Sequence, residues 1–163
     1  MNSYFWRLAT VAFMGLAGLV AVGAARADDV PLDKLPKAIV QTLKKRFPDA
    51  EMTKAVKEGD KDKTVYEVSL KRKGHNIDVN LSPDGQIQQI EQEIGFTDLP
   101  KVIADAINAK YAKAKFKTIE QVIHVKDGKE SLDLYEFLLI TPANETFEVY
   151  VSPAGKITSE TKK

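Results

Sequence analysis

Any reactive site in this chain would have to be built from two histidines, His75 and His124, its carboxylates and its hydroxyls, because the 163 residues include no cysteine. A zinc site takes three or four His, Cys or carboxylate ligands at characteristic spacings, and neither histidine has such neighbours. Both read as turn or surface residues. No serine stands in a Ser-x-x-Lys or Gly-x-Ser-x-Gly setting, so a nucleophile is unsupported. Asp60-Lys61-Asp62 and the pair Glu91/Glu93 offer the oxygens that calcium prefers, but without an EF-hand pattern. A solvated turn is the plainer reading. Lys71-Arg72-Lys73 is the one basic run, placed to touch an acidic partner or phosphate, or simply to discourage edge-to-edge strand pairing. These residues predict no enzyme, no metal site and no cofactor.

The chain opens with Met1-Asn2-Ser3-Tyr4-Phe5-Trp6-Arg7, then runs apolar from Leu8 to Ala25 and closes on Ala25-Arg26-Ala27. A basic lead, an apolar segment and a small-x-small exit predict a secretory signal peptide cleaved after Ala27. An uncleaved anchor is the alternative, since the run is almost long enough to span a bilayer. The expected location is periplasmic or secreted. Removing residues 1–27 takes away Arg7 and Arg26 but no acid, leaving 22 basic against 23 acidic side chains. This balance argues against a nucleic-acid or anionic-membrane binder, which needs a sustained basic surface. An exported chain without cysteine has no disulfides, so its own core must hold it, and its size allows that.

Two markers recur in order along the rest. Leu35-Pro36-Lys37-Ala38-Ile39 returns 64 residues later as Leu99-Pro100-Lys101-Val102-Ile103, and Leu81-Ser82-Pro83-Asp84-Gly85-Gln86-Ile87 returns 70 residues later as Val151-Ser152-Pro153-Ala154-Gly155-Lys156-Ile157. An internal duplication follows, over residues 28–94 and 95–163, with a six-residue insertion in the second copy. After each Leu-Pro the apolar residues recur every four positions: Leu35, Ile39, Leu43 and Phe47, then Leu99, Ile103, Ile107 and Tyr111. Each set is one stripe of an amphipathic helix. Asp33 and Asp98 are placed to cap these helices, and Pro36 and Pro100 to enter their first turns.

Beyond each helix the period drops to two. Strands are predicted over 52–57, 64–72, 76–81 and 86–93, the last with ambiguous spacing that suggests a bulge or short helix. In the second copy they fall over 115–125, 132–141, 146–151 and 156–161. The fold class is α+β: two tandem α-β-β-β-β repeats, each a helix packed on one face of an antiparallel four-stranded sheet. The two sheets are expected to adjoin.

Helices opening on Leu-Pro, the strands Tyr66-Glu67-Val68 and Tyr135-Glu136-Phe137, and a closing Pro-x-Gly turn together resemble the PepSY-like family, which is itself similar to the β-lactamase inhibitory protein. The resemblance covers nearly the whole mature chain, twice. It implies an exported bacterial module that binds protein or peptide, with protease inhibition suggested for related domains. It brings no catalytic residues with it.

The copies differ on one strand. If Tyr66, Val68 and Leu70, with Tyr135, Phe137 and Leu139, face the helices, the opposite face carries Val65, Glu67, Ser69 and Lys71 in the first copy. In the second it carries Leu134, Glu136, Leu138 and Ile140, joined by Glu148 and Tyr150 from the next strand. An apolar outer face asks for a cover. It is read either as a protein- or peptide-binding face or homodimer contact, or as a surface over which the first copy's sheet folds. The predicted binding residues are Leu134, Glu136, Leu138, Ile140, Glu148 and Tyr150. The other reading is a small-ligand or ion sensor with a helix–sheet pocket, for which Tyr111 is the one polar candidate in the stripes.

Overall fold

The computed structural model describes residues 28–59 and 63–163. The predicted signal peptide and Asp60-Lys61-Asp62 therefore lie outside the described residues. Chain order runs β1 (Asp28–Asp29), α1 (Lys37–Arg46), β2 (Glu51–Glu58), β3 (Val65–Arg72), β4 (His75–Leu81) and β5 (Ile87–Glu93), then α2 (Lys101–Lys110), β6 (Lys115–Lys126), β7 (Lys129–Ile140), β8 (Thr146–Val151) and β9 (Ile157–Lys162).

Both helical stripes are buried as their spacing demands: Ile39, Leu43, Ile103 and Ile107 are almost completely enclosed, with Phe47 and Tyr111 at the C-terminal ends. The aspartates, however, cap neither helix. Pro36 and Pro100 occupy the two N-cap positions. Each aspartate sits one turn upstream, in a single 3-10 turn at Leu32–Lys34 or Phe96–Asp98. The Asp98 carboxylate accepts a hydrogen bond from the Gly95 amide at 3.0 Å, closing that upstream turn. Proline fixes an extended φ/ψ at the helix entrance, and this breaks the two segments apart.

The strands form one antiparallel sheet ordered β1 through β9 in sequence. Two abutting sheets were expected; the β5–β6 ladder, from Gln89↔His124 to Glu93↔Glu120, joins them into one. Nine strands replace eight because Asp28 and Asp29 add a short edge against Lys57 and Val56. The ambiguous spacing in β5 resolves as a strand with a register shift, in which Asn80 pairs with Gln89 but Leu81 with Ile87.

Two apolar clusters lie on one face of the sheet. The first joins Leu35, Ile39, Leu43 and Phe47 to Val68, Leu70, Ile77, Val79, Leu81 and Ile90. The second joins Leu99, Ile103, Ile107 and Tyr111 to Ile119, Tyr135, Phe137, Leu139, Val149 and Val151. Ile123 and Val125 of β6 pack against the first cluster although they belong to the second repeat. The β6–β7 hairpin thus reaches back over its neighbour, and Glu130 near its tip pairs with Arg46 at the end of α1, 2.9 Å away.

The two recurring sequence markers touch. Gly85, at φ +85°, lies so close to α1 that a Cβ there would come within 2.8 Å of the Ala38 carbonyl. A Cβ on Gly155, at φ +81°, would likewise come within 2.7 Å of Val102 Cγ2 and 3.0 Å of the Val102 carbonyl oxygen. The Ser-Pro-x-Gly turn recurs with the Leu-Pro helix start because the first is the seat of the second.

Candidate partner-binding face

Since both helices cover the same face, the strand pairings define what the other face carries. On β7, Tyr135, Phe137 and Leu139 point into the second core, so Leu134, Glu136, Leu138 and Ile140 point away from it. Glu136 pairs with Tyr150 and Leu138 with Glu148, which brings all six predicted residues onto the helix-free face. The first repeat's sheet does not fold over them, since it continues edge to edge from the second.

The ladders add residues that the sequence argument did not join to this patch. Val122 pairs with Leu134 and with Glu91; Glu120 pairs with Glu136 and with Glu93; Asp78 pairs with Glu91. A band of carboxylates therefore crosses the open face diagonally, from Glu67 and Asp78 through Glu91, Glu120 and Glu136 to Glu148. Ligand oxygens of Glu91, Glu120 and Glu136 all lie within 4.8 Å of one another. Glu136 is 8% exposed and Val122 6%. Leu134, Leu138 and Ile140 are half-buried beside this band.

Crowding like charges in a partly desolvated place raises their pKa values. Burial pushes Glu67 up to about 7, helped by the charges of Asp78, Glu91 and Glu58 and opposed by Lys54. Asp78 is raised by burial against a hydrogen bond from Ser69. Burial, then the charges of Glu136 and Glu148, raises the Tyr150 phenol far above its usual range. Lys163 meets the band at its edge, 2.7 Å from Glu148. Alternation along single strands shows Glu67 and Glu136 as outward residues; the band itself needs cross-strand register, which no single strand encodes.

The remaining candidates scatter. His124 lies 3.3 Å from Asp133 at the exposed end of the β6–β7 hairpin. His75, Arg72 and Lys73 line a cleft of about 420 Å³ together with Asp49, Glu93 and Asp98. The Arg72 guanidinium also lies 5.8 Å from the Phe47 ring centre. Glu93, two residues along β5 from Glu91 and on the same face of the sheet, accepts a hydrogen bond from the Asn76 amide at 3.0 Å. The Tyr111 hydroxyl donates to Glu160 at the edge of the second core, so it does not aim into a helix–sheet cavity. Among the described residues no buried side-chain nitrogen or oxygen lacks a partner, and no helix is long and apolar enough to cross a membrane.

A nine-stranded antiparallel meander with two helices on one face and an open second face defines an α+β protein of the β-lactamase-inhibitor-like class. The family model described as "Putative beta-lactamase-inhibitor-like, PepSY-like" matches residues 4–89 and again 73–158, and the chain belongs to that family. The fold is shared with a protein of Bacteroides eggerthii described as among "putative periplasmic proteins". That likeness has 15% identity and a TM-score of 0.62, over 78% of this chain and 88% of that one. A BLIP-like protein of Bacteroides fragilis is similar at 16% identity and a TM-score of 0.56, over 77% and 84% of the two chains. No match to the curated proteins was found.

Proposed function

We propose that the protein is an exported, non-enzymatic binding module of a bacterial envelope that presents its helix-free sheet face to a protein or peptide. The observation that carries this reading is the composition of that face. Leu134, Leu138, Ile140 and Tyr150 stand on the side of the sheet that no helix covers among the described residues. Aliphatic and aromatic side chains grouped on an open sheet face supply the anchors from which protein contacts draw most of their energy. The periplasmic description of the similar Bacteroides eggerthii protein and the signal-like leader support the location. The family's inhibitor-like character supports a partner that is itself a hydrolase, such as a peptidase.

A photoreactive amino acid placed at Leu138, with Lys45 on α1 as the control position, tests this in the living cell. A crosslinked product from position 138 that position 45 does not give is expected. A crosslink joining two copies of the chain would make the face a homodimer contact. No product from position 138, in a variant exported at the parent's level, would sink the reading.

A further inference from the structure

Apart from the open face, the cleft at the end of β3, β4 and β5 holds chemistry that the binding reading does not use. Arg72 pairs with His75 as Leu70 does with Ile77, so both stand on the side of the sheet that α1 covers. Gln92, paired with Ile77, joins them there. With Asp49, Lys73, Glu93 and Asp98 they line a volume of about 420 Å³. That lies within the range of about 300–1,000 Å³ that suits small ligands. Ile77 from the first core and Ile94, packed against the second, add an apolar lining.

The charges of this cleft share one cavity without pairing. Among the described residues Arg72, Lys73 and Asp49 enter no ion pair. The Arg72 guanidinium instead lies over the buried Phe47 ring, 5.8 Å from its centre. Glu93 and Asp98 are held by backbone, each accepting an amide hydrogen bond at 3.0 Å, from Asn76 and Gly95 respectively. A carboxylate with one such bond keeps capacity for more. The ring and the two amides thus hold an unspent cation and two acids apart around the same space.

We infer that this cleft binds a small zwitterion of about dipeptide size, with both termini free. The ligand's carboxylate takes the forked N–H donors of Arg72, whose planar geometry matches two carboxylate oxygens. Its ammonium donates to the acids, and its side chain lies on Ile77 and Ile94. An ion of one sign fits less well, because it leaves wall charges of its own sign unpaired where it has displaced their water. The site is separate from the sheet face proposed above and does not rest on that reading.

The test is calorimetric titration of the purified exported protein with three ligands: glycyl-leucine, its N-acetyl form and its C-terminal amide. Glycyl-leucine is expected to bind, and each blocked form to bind at least about tenfold more weakly, having lost one charged hydrogen-bonded contact. Arg72→Gln should bring glycyl-leucine down to the affinity that the amide shows for the parent. A thermal melt shows that this variant is folded; if it is not, the three ligands on the parent decide alone. Leu138→Glu, on the open face, should leave the affinity for glycyl-leucine unchanged.

No binding of glycyl-leucine in the millimolar range overturns the inference, as does equal affinity of the parent and the folded Arg72→Gln protein. Binding of the acetyl form as tight as that of the free dipeptide, or displacement of the dipeptide by inorganic phosphate, would give the cleft to a simple anion and overturn it too. Loss of binding in a folded Leu138→Glu protein would move the dipeptide to the open face. The crosslink from position 138 is read independently, so either proposal can fall while the other stands.

Discussion

Burial acts first on the Glu67 carboxyl, and the like charges of Asp78 on β4, Glu91 on β5 and Glu58 on β2 add to it, against Lys54 as the opposing cation. That carboxyl is pushed from 4.5 up to about 7, so between these two values the folded protein holds a proton that the unfolded chain has released. Stability must then fall as pH rises through this window and level off above it. Moving from pH 8 to pH 5.5 should raise Tm by on the order of 2–4 °C, and Glu67→Gln should remove most of that dependence while leaving the part due to Asp78. Thermal melts of both proteins across that range decide the matter; parallel pH profiles would mean that Glu67 is solvated and its neighbours are too far away to matter. The outward direction of Glu67 is legible from alternation in β3. Its neighbours are not, because they come from strands whose register is fixed only when the sheet is assembled.

At the scale of elements, the contact between each Pro-x-Gly turn and the helix it seats explains why the two markers recur together. Gly85 and Gly74 both have left-handed φ, at +85° and +90°, but only Gly85 lies against backbone; a Cβ on Gly74 meets nothing within 4 Å. Gly74→Ala should therefore cost only its conformational penalty, about 1–2 kcal/mol. Gly85→Ala must also move α1 away from the sheet and should cost about 2–4 kcal/mol. Urea unfolding of the two variants side by side separates the effects, and equal midpoints would show that the turn does not seat the helix. The helices and seven of the eight predicted strands, at both ends to within two residues, are readable in the sequence, because each rests on local periodicity or on Pro and Gly. The start of β7 at Lys129 is not, since Lys129-Glu130-Ser131 lacks any strand pattern and is held extended by its ladder to β6. Nor are the caps, where proline displaced the aspartate.

For the whole molecule, the question is whether two duplicated halves make two folding units or one. The sequence repeat suggests two, and each half does supply a helix and its own cluster. Three observations oppose independence. The β5–β6 ladder makes the sheet continuous, Ile123 and Val125 of the second half pack against the first core, and Arg46 pairs with Glu130 across the boundary. The exposed ion pair contributes at most about 1 kcal/mol. The aliphatic contacts matter more, because without the hairpin the first core loses part of its cover and β5 becomes a bare edge. A fragment ending at Ile94 should consequently fail to fold alone, giving no cooperative melt by circular dichroism. In the intact chain Ile123→Ala should lower stability by about 1–3 kcal/mol while the protein still unfolds in a single transition that reports both halves together. A fragment that melts cooperatively near the parent's Tm, or an Ile123→Ala protein whose halves unfold separately, would make the continuous sheet a docking of two finished domains. In a single unit, the open face is one rigid surface spanning both copies. Residues from β3 to β8 are then held on that face without the cost of aligning two separate domains.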